Sequence, residues 1–203
     1  MQVLIEHAEL EWPRVINWER GMTDDEYYQF CTINPDLRIE RTAEGDIVIM
    51  PPAGDESSFR NARLAVKLGI WTEEDGRGRA FDATAAFILP SGAARSPDAS
   101  WILRSRLTAV TRGQRRRFIK LCPDFVVELM SPSDRLKRAK AKMQEWMENG
   151  AQLGWLIDAD HRTVYIYRPG QEPEKVVDAQ RVIGEGPVAG FVLELAGVWE
   201  ELV

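Results

Sequence analysis

Pro123-Asp124-Phe125-Val126-Val127-Glu128-Leu129-Met130-Ser131-Pro132-Ser133-Asp134 is the stretch that decides how this chain folds. Asp124 to Met130 is nearly continuous apolar sequence, as expected of a strand covered on both faces. Ser131-Pro132-Ser133-Asp134 then reads as a helix start, and the helix is predicted to run to Asn149, with Gly150 as its stop. Strand alternation puts Val126, Glu128 and Met130 on one face and Phe125, Val127 and Leu129 on the other. Glu128 is the anomaly, because a carboxylate inside such a strand is costly to bury unless a cation meets it. An arginine partner or a place at the sheet margin is the plain structural explanation.

Upstream, Thr23 followed by Asp-Asp-Glu predicts a helix to about Ile33. Leu37 to Arg41 and Asp46 to Met50 alternate around Glu44-Gly45, the pattern of a hairpin. A long helix is predicted from about Asp55 to Glu74, stopped by Gly76 and Gly78, with an apolar stripe of Phe59, Ala62, Val66 and Ile70. Strands are expected at Arg79 to Asp82, Ala86 to Leu89 and Asp98 to Leu103, and a short helix at Leu107 to Gly113. Downstream, Leu153 to Ile157 and Thr163 to Tyr167 read as a second hairpin, and Glu174 to Val203 as short strands and turns. The mixed order predicts an α/β (α+β) fold: one mixed β-sheet flanked by helices on both faces.

At 203 residues the chain fits one domain, 1–203, with an N-terminal extension to about residue 20. Its 44% hydrophobic and 29% charged residues are typical of a soluble globular protein. No apolar run approaches the roughly 20 residues that cross a bilayer, and the N-terminus carries no secretion signal. Cys31 and Cys122 match no metal-ligand spacing, so a cytoplasmic setting is expected. The net charge of −6 argues against a generic polyanion binder, but its distribution is uneven. Arg104, Arg106, Arg112, Arg115, Arg116, Arg117 and Lys120 form one run without an acid, and Arg135, Lys137, Arg138, Lys140 and Lys142 another. Such runs are ordinarily solvated faces. The functional alternative is a phosphate-facing surface.

Pro97-Asp98 opens one predicted strand, and Glu128 closes another about thirty residues later. Many metal-dependent nucleases arrange their acids this way and add a lysine two residues after the second. Met130 stands at that place here. Asp124 also follows a proline, but it lies roughly 13 Å from Glu128 along one strand and could not share an ion with it. Asp98, on a different strand, could. Glu56 is a third acid, in the first turn of the long helix, where a carboxylate is common simply because it favours the helix dipole. Three acids aimed at one sheet make a candidate Mg²⁺ site, since that ion takes oxygen ligands and relieves the repulsion among them. The missing cation is sought on the next helix. Its stripe is Leu136, Ala139, Met143 and Met147; Lys142 lies at the margin, Lys140 is the runner-up, and Lys137 and Arg138 look outward. Snorkelling at a helix edge is the plain reading of Lys142.

These residues resemble the Uma2 family (DUF820), a bacterial group assigned to the PD-(D/E)XK, restriction-endonuclease-like superfamily. The matching stretches are Ser96-Pro97-Asp98, Pro123 to Ser133, Lys142-Met143-Gln144-Glu145-Trp146 with Asn149-Gly150, Gly154 to Asp158, and Val164 to Arg168; Gly54-Asp55-Glu56 with Asn61 also fits. The resemblance implies that Glu56 comes from a helix, that Asp98 and Glu128 come from adjacent strands, and that the lysine has moved to the following helix as Lys142. It implies an endonuclease that uses Mg²⁺, or Mn²⁺, to activate water against DNA phosphodiester bonds. The Leu129 carbonyl would be a further metal ligand. Arg115, Arg116, Arg117 and Lys137 would contact backbone phosphates without specifying sequence. The superfamily's habit of dimerising implies a homodimer. Two alternatives stay open: a catalytically inactive nuclease-fold domain that binds DNA or a protein, and a phosphodiesterase acting on RNA or another nucleotide. His161 is expected in a surface turn, and Trp71, Trp101, Trp146 and Trp155 in the core; His7 fits none of this chemistry.

Overall fold

The computed structural model describes residues 13–115, 117–132 and 134–201, the side chains at 114 and 115 excepted. Arg116, Ser133, His7 and the Arg115 side chain therefore lie outside the described residues. In chain order the elements are β1 (Arg14–Ile16), α1 (Asp24–Ile33), β2 (Arg38–Arg41), β3 (Ile47–Met50), α2 (Asp55–Asp75), β4 (Gly78–Asp82), β5 (Phe87–Ile88), β6 (Ala94–Arg95) and β7 (Ala99–Leu103). They continue as α3 (Arg104–Thr108), α4 (Arg112–Arg115), β8 (Phe125–Leu129), α5 (Leu136–Glu148), β9 (Leu153–Asp158), β10 (Thr163–Tyr167), β11 (Glu174–Val177), β12 (Arg181–Ile183), β13 (Val192–Glu194) and α6 (Ala196–Trp199). None of the described helices is long and apolar enough to cross a membrane.

The fold is mixed α/β, built on a six-stranded sheet ordered β11-β10-β9-β8-β7-β4. It is parallel at β8–β9, where α5 makes the crossover, and antiparallel elsewhere. Phe125 and Val127 face α2 among Leu64, Leu68, Trp101 and Trp155. Val126 and Leu156 face α5 among Met143 and Trp146. The predicted parity of β8 is thus the observed one, and both faces are covered. Gly154 lets α5 sit close: a Cβ there would come within 2.5 Å of the Met143 Cε and 2.9 Å of the Met147 Cε.

Several expectations need correction. The first hairpin does not join the large sheet. It belongs to a separate five-stranded sheet, β1-β3-β2-β6-β5, in which β5 falls inside the strand expected at Ala86 to Leu89 and β6 is too short for alternation to show in sequence. One face of this sheet packs Ile39, Ile47 and Ile49 on Tyr27 and Phe30 of α1. The α2 stripe is also different. Leu64 and Leu68 are fully covered, whereas Val66 and Ile70 are 57% and 52% exposed. Two apolar rows run along this helix, and only tertiary packing chooses between them. The short helix expected at Leu107 to Gly113 is instead α3 and α4. Helix α5 starts at Leu136, because Asp134 Oδ2 turns back to accept hydrogen bonds from the Ser131 N–H and hydroxyl. The tail supplies core, burying Val188, Phe191, Leu193, Leu195 and Val198 on the α2 side.

Gly78 sits where β4 passes the buried Trp101 ring. A methyl group there would overlap the ring and lie 2.7 Å from the Ile102 carbonyl oxygen. Gly78→Ala is expected to cost about 1–3 kcal/mol or more, since neither neighbour can yield. Denaturant unfolding measures this, and wild-type stability would contradict the β4–β7 packing.

Candidate active site

The pairing of β7 with β8 sets the site. Ala99 opposes Val127, so one step outward Asp98 and Glu128 stand at neighbouring margins of the sheet. Both are buried, at 8% exposure each. They form part of the floor of a cavity of about 750 Å³, walled by the small sheet and by α5. Glu128 shares a strand face with Val126, which is the face α5 covers, and this is why Lys142 can reach it. The Lys142 Nζ lies 3.0 and 3.1 Å from the two Glu128 carboxylate oxygens. Trp146, one turn along α5, donates its Nε1–H to Glu128 at 2.8 Å. Asp98 accepts the Leu129 amide N–H at 2.8 Å and the Asn61 Nδ2–H at 3.1 Å.

A third buried acid completes the cluster. Glu40 of β2 accepts from Lys142 at 3.0 Å, from Arg95 at 3.2 Å and from the Ser96 N–H at 3.1 Å. Arg95 also clasps Glu145 of α5 at 2.5 and 3.1 Å, tying the small sheet to the helix. Burial raises the Asp98 carboxyl above its ordinary range, against the Leu129 N–H, Lys142, Arg38 and Asn61. Burial, with repulsion from Asp98 and Glu40, raises Glu128 to about 7 despite Lys142. Glu40 is held below the usual carboxylate range: burial opposes this, but Lys142, Arg95 and the Ser96 N–H outweigh it. Burial would neutralise Lys142, yet Glu128, Glu40 and Asp98 keep its ammonium more stable than an ordinary lysine's.

Asp98, Glu128, Leu129 and Lys142 therefore converge on one cavity. Glu56 does not join them. Its side chain is 41% exposed and pairs with Arg60 one turn on at 3.4 Å. Asp124 lies at the far end of β8, accepting from the Leu103 N–H and from Arg106. Arg117 pairs with Asp25 and lies over the Tyr28 ring of α1, on the opposite side of the small sheet from the cavity. Lys137 is exposed on α5, and Lys140 covers the Tyr165 ring at 4.3 Å. His161 is in a turn against Asp158, as expected.

Sequence reasoning missed Glu40 and the hydrogen bond of Trp146; Arg138, expected to look outward, lines the cavity, as does Asn61, which entered only through the family resemblance. Glu40 lies inside the hairpin strand expected at Leu37 to Arg41, with no feature that singles it out. No signal in Arg38-Ile-Glu-Arg says that both faces of β2 are covered. Asn61 was legible in part, one turn beyond Ser57 on the face of α2 that meets the sheet.

A family model, Uma2, described as "Putative restriction endonuclease", matches residues 24–196. This chain belongs to the Uma2 family. Among solved structures, one described as a "putative nuclease belonging to DUF820" from Anabaena variabilis ATCC 29413 superposes with a TM-score of 0.72 at 23% identity, covering 88% of this chain and 98% of that one. That likeness shows the fold. Among curated proteins, none matches. The Uma2 match spans every element that contributes to the cavity floor, from β2 through α5.

Proposed function

We propose that this Uma2 protein is a divalent-metal-dependent endonuclease that hydrolyses DNA phosphodiester bonds. In this reading Asp98 and Glu128 are the metal carboxylates and Lys142 is the catalytic cation. The observation that carries it is the meeting of these three groups, from the β7 margin, β8 and α5, on one cavity floor.

The donor set fits a hard cation. Burial raises both carboxylates, and repulsion from Asp98 and Glu40 raises Glu128 further, so a cation between them would favour their charged forms. The Asn61 Oδ1 is a buried acceptor with no hydrogen-bond partner, fixed beside Asp98 because the amide NH₂ already faces that carboxylate. Among the described residues no three acids, histidines or cysteines form a ready cage. Mg²⁺ does not need one, since it usually takes one or two carboxylates and completes its shell with water and substrate oxygens. When bound, the ion would supply a water of lowered pKa and charge stabilisation at the phosphoryl group.

Asp98 and Glu128 hold and orient; the Leu129 carbonyl and Asn61 Oδ1 are further oxygen donors. The Leu129 N–H and Trp146 Nε1–H lock the two carboxylates in place. Lys142 stays protonated and, lying against Glu128, is positioned to donate to a phosphoryl oxygen or to the attacking water. Glu56 acts at most through water, given its pairing with Arg60.

Metal binding is the first test. Glu128, at about 7, must lose its proton to become a ligand. Mn²⁺ affinity is therefore expected to fall below neutral pH, by up to about tenfold per pH unit, with proton release on binding. Calorimetry at about pH 6 and about pH 8, in buffers of different ionisation enthalpy, measures both. Asp98→Asn should weaken binding throughout. Affinity independent of pH, or unchanged by Asp98→Asn, would place the ion elsewhere.

A further inference from the structure

The shape and charge of the cavity select the form of the substrate. The acids lie at the bottom of a hollow of about 750 Å³. That is the size of pockets that enclose small molecules, about 300–1,000 Å³. Proteins that read duplex DNA do the reverse and push an element into a groove about 12 Å wide. A hollow of this volume matches one nucleotide unit of an unpaired strand better than the full width of a paired duplex.

Charge points the same way. Duplex binders neutralise many phosphates with rows of Lys and Arg. Of the dense basic run from Arg104 to Lys120, Arg104 and Arg106 follow β7 directly, so they lie at the strand ends opposite Asp98 and Glu128. Within it Arg106 is paired with Asp124, Arg117 with Asp25 and Lys120 with Asp24. At the cavity itself Arg95 and Lys142 are engaged by several buried acids; among the described residues the other cations on its walls are Arg38, which stands 3.9 Å from Asp98, and Arg138. Two arginines suit the phosphates flanking one cleavage position. Part of the wall is apolar: Val48, Met50, Pro51 and Pro52 line it, with Met50 paired to Arg38 across β3 and β2. Single-strand sites pair cations that follow the backbone with a side-chain platform for the bases; among the described lining residues that platform is aliphatic, without an aromatic ring.

We infer that the site takes an unpaired nucleic-acid strand, with its scissile phosphate over Asp98 and Glu128, flanking phosphates on Arg38 and Arg138, and a base against Met50, Pro51 and Pro52. This rests on the metal-dependent nuclease reading.

The test uses one labelled sequence with Mn²⁺, presented as single-stranded DNA, as single-stranded RNA, as a full duplex, and as a duplex with an unpaired flap. The full chain is expected to cut single strands and flaps faster than the duplex, by on the order of tenfold or more. Arg138→Ala should raise KM for the single strand. The DNA and RNA arms decide which sugar the strand carries. Cutting of the duplex as fast as the single strand would overturn the inference and leave the nuclease reading standing. No cutting of any form, despite Mn²⁺ binding that needs Asp98, would overturn both.

Discussion

Lys142→Ala is expected to abolish cleavage while raising affinity for the metal. The Lys142 Nζ lies 3.0 Å from both Glu128 and Glu40, so in the metal-free protein the ammonium and a divalent ion compete for the same carboxylate. Removing the amine frees Glu128 for the metal. It also removes the group placed to stabilise charge at phosphorus, a loss of the kind that lowers kcat by about 10²–10³-fold. Stability should separate the two roles. Three buried acids lose their shared cation, a change that costs about 3–5 kcal/mol for a broken buried pair. Added Mn²⁺ should restore part of that by binding only the folded state. Lys142→Met, which keeps the stem packed on α5, should cleave no better. Wild-type cleavage by either variant would remove Lys142 from the mechanism.

Glu40→Ala is expected to produce the largest loss of fold stability at the site. Glu40 is 4% exposed and accepts hydrogen bonds from Lys142, Arg95 and the Ser96 N–H at once. Through Arg95 and Glu145 it fastens the small sheet to α5. Its removal leaves the part-buried Ser96 N–H unpaired and two cations under-compensated, again about 3–5 kcal/mol. In a chain of this length that lowers the melting temperature by about 2–4 °C per kcal/mol. Glu40→Gln keeps the shape and the acceptor for Ser96, so it should recover part of the loss. Cleavage by Glu40→Gln should still be slowed, with metal affinity little changed, because Lys142 loses one of the two carboxylates that aim it. Equal stability of Glu40→Ala and wild type would show that the network does not hold the sheets together.

The legibility of the site followed the elements. The run Phe125 to Met130 carried its own parity, and that parity placed Glu128 beneath α5. The capping box at Thr23 and Glu26 and the hairpin of β9 and β10 were likewise readable, because their signals are local. What stayed hidden depends on packing between distant segments. The small sheet has one face on α1 and the other on the cavity, so Glu40 is buried where alternation would put it in water. The two apolar rows of α2 are equivalent until Trp101, Trp155 and the tail select Leu64 and Leu68. Arg104 and Arg106 of the basic run are close to the acids in sequence but sit at the wrong end of the strands, a distance that residue numbering conceals.

The central claim is that Asp98 and Glu128 hold a divalent ion that drives phosphodiester hydrolysis. The most direct measurement is cleavage of circular single-stranded DNA and supercoiled plasmid by the full chain, with Mg²⁺ or Mn²⁺, beside Asp98→Ala purified identically. Cleavage of at least one form is expected, requiring the metal, stopping with EDTA and lost in Asp98→Ala. Cleavage that survives in Asp98→Ala, or no cleavage of either form by the wild-type chain, would contradict it.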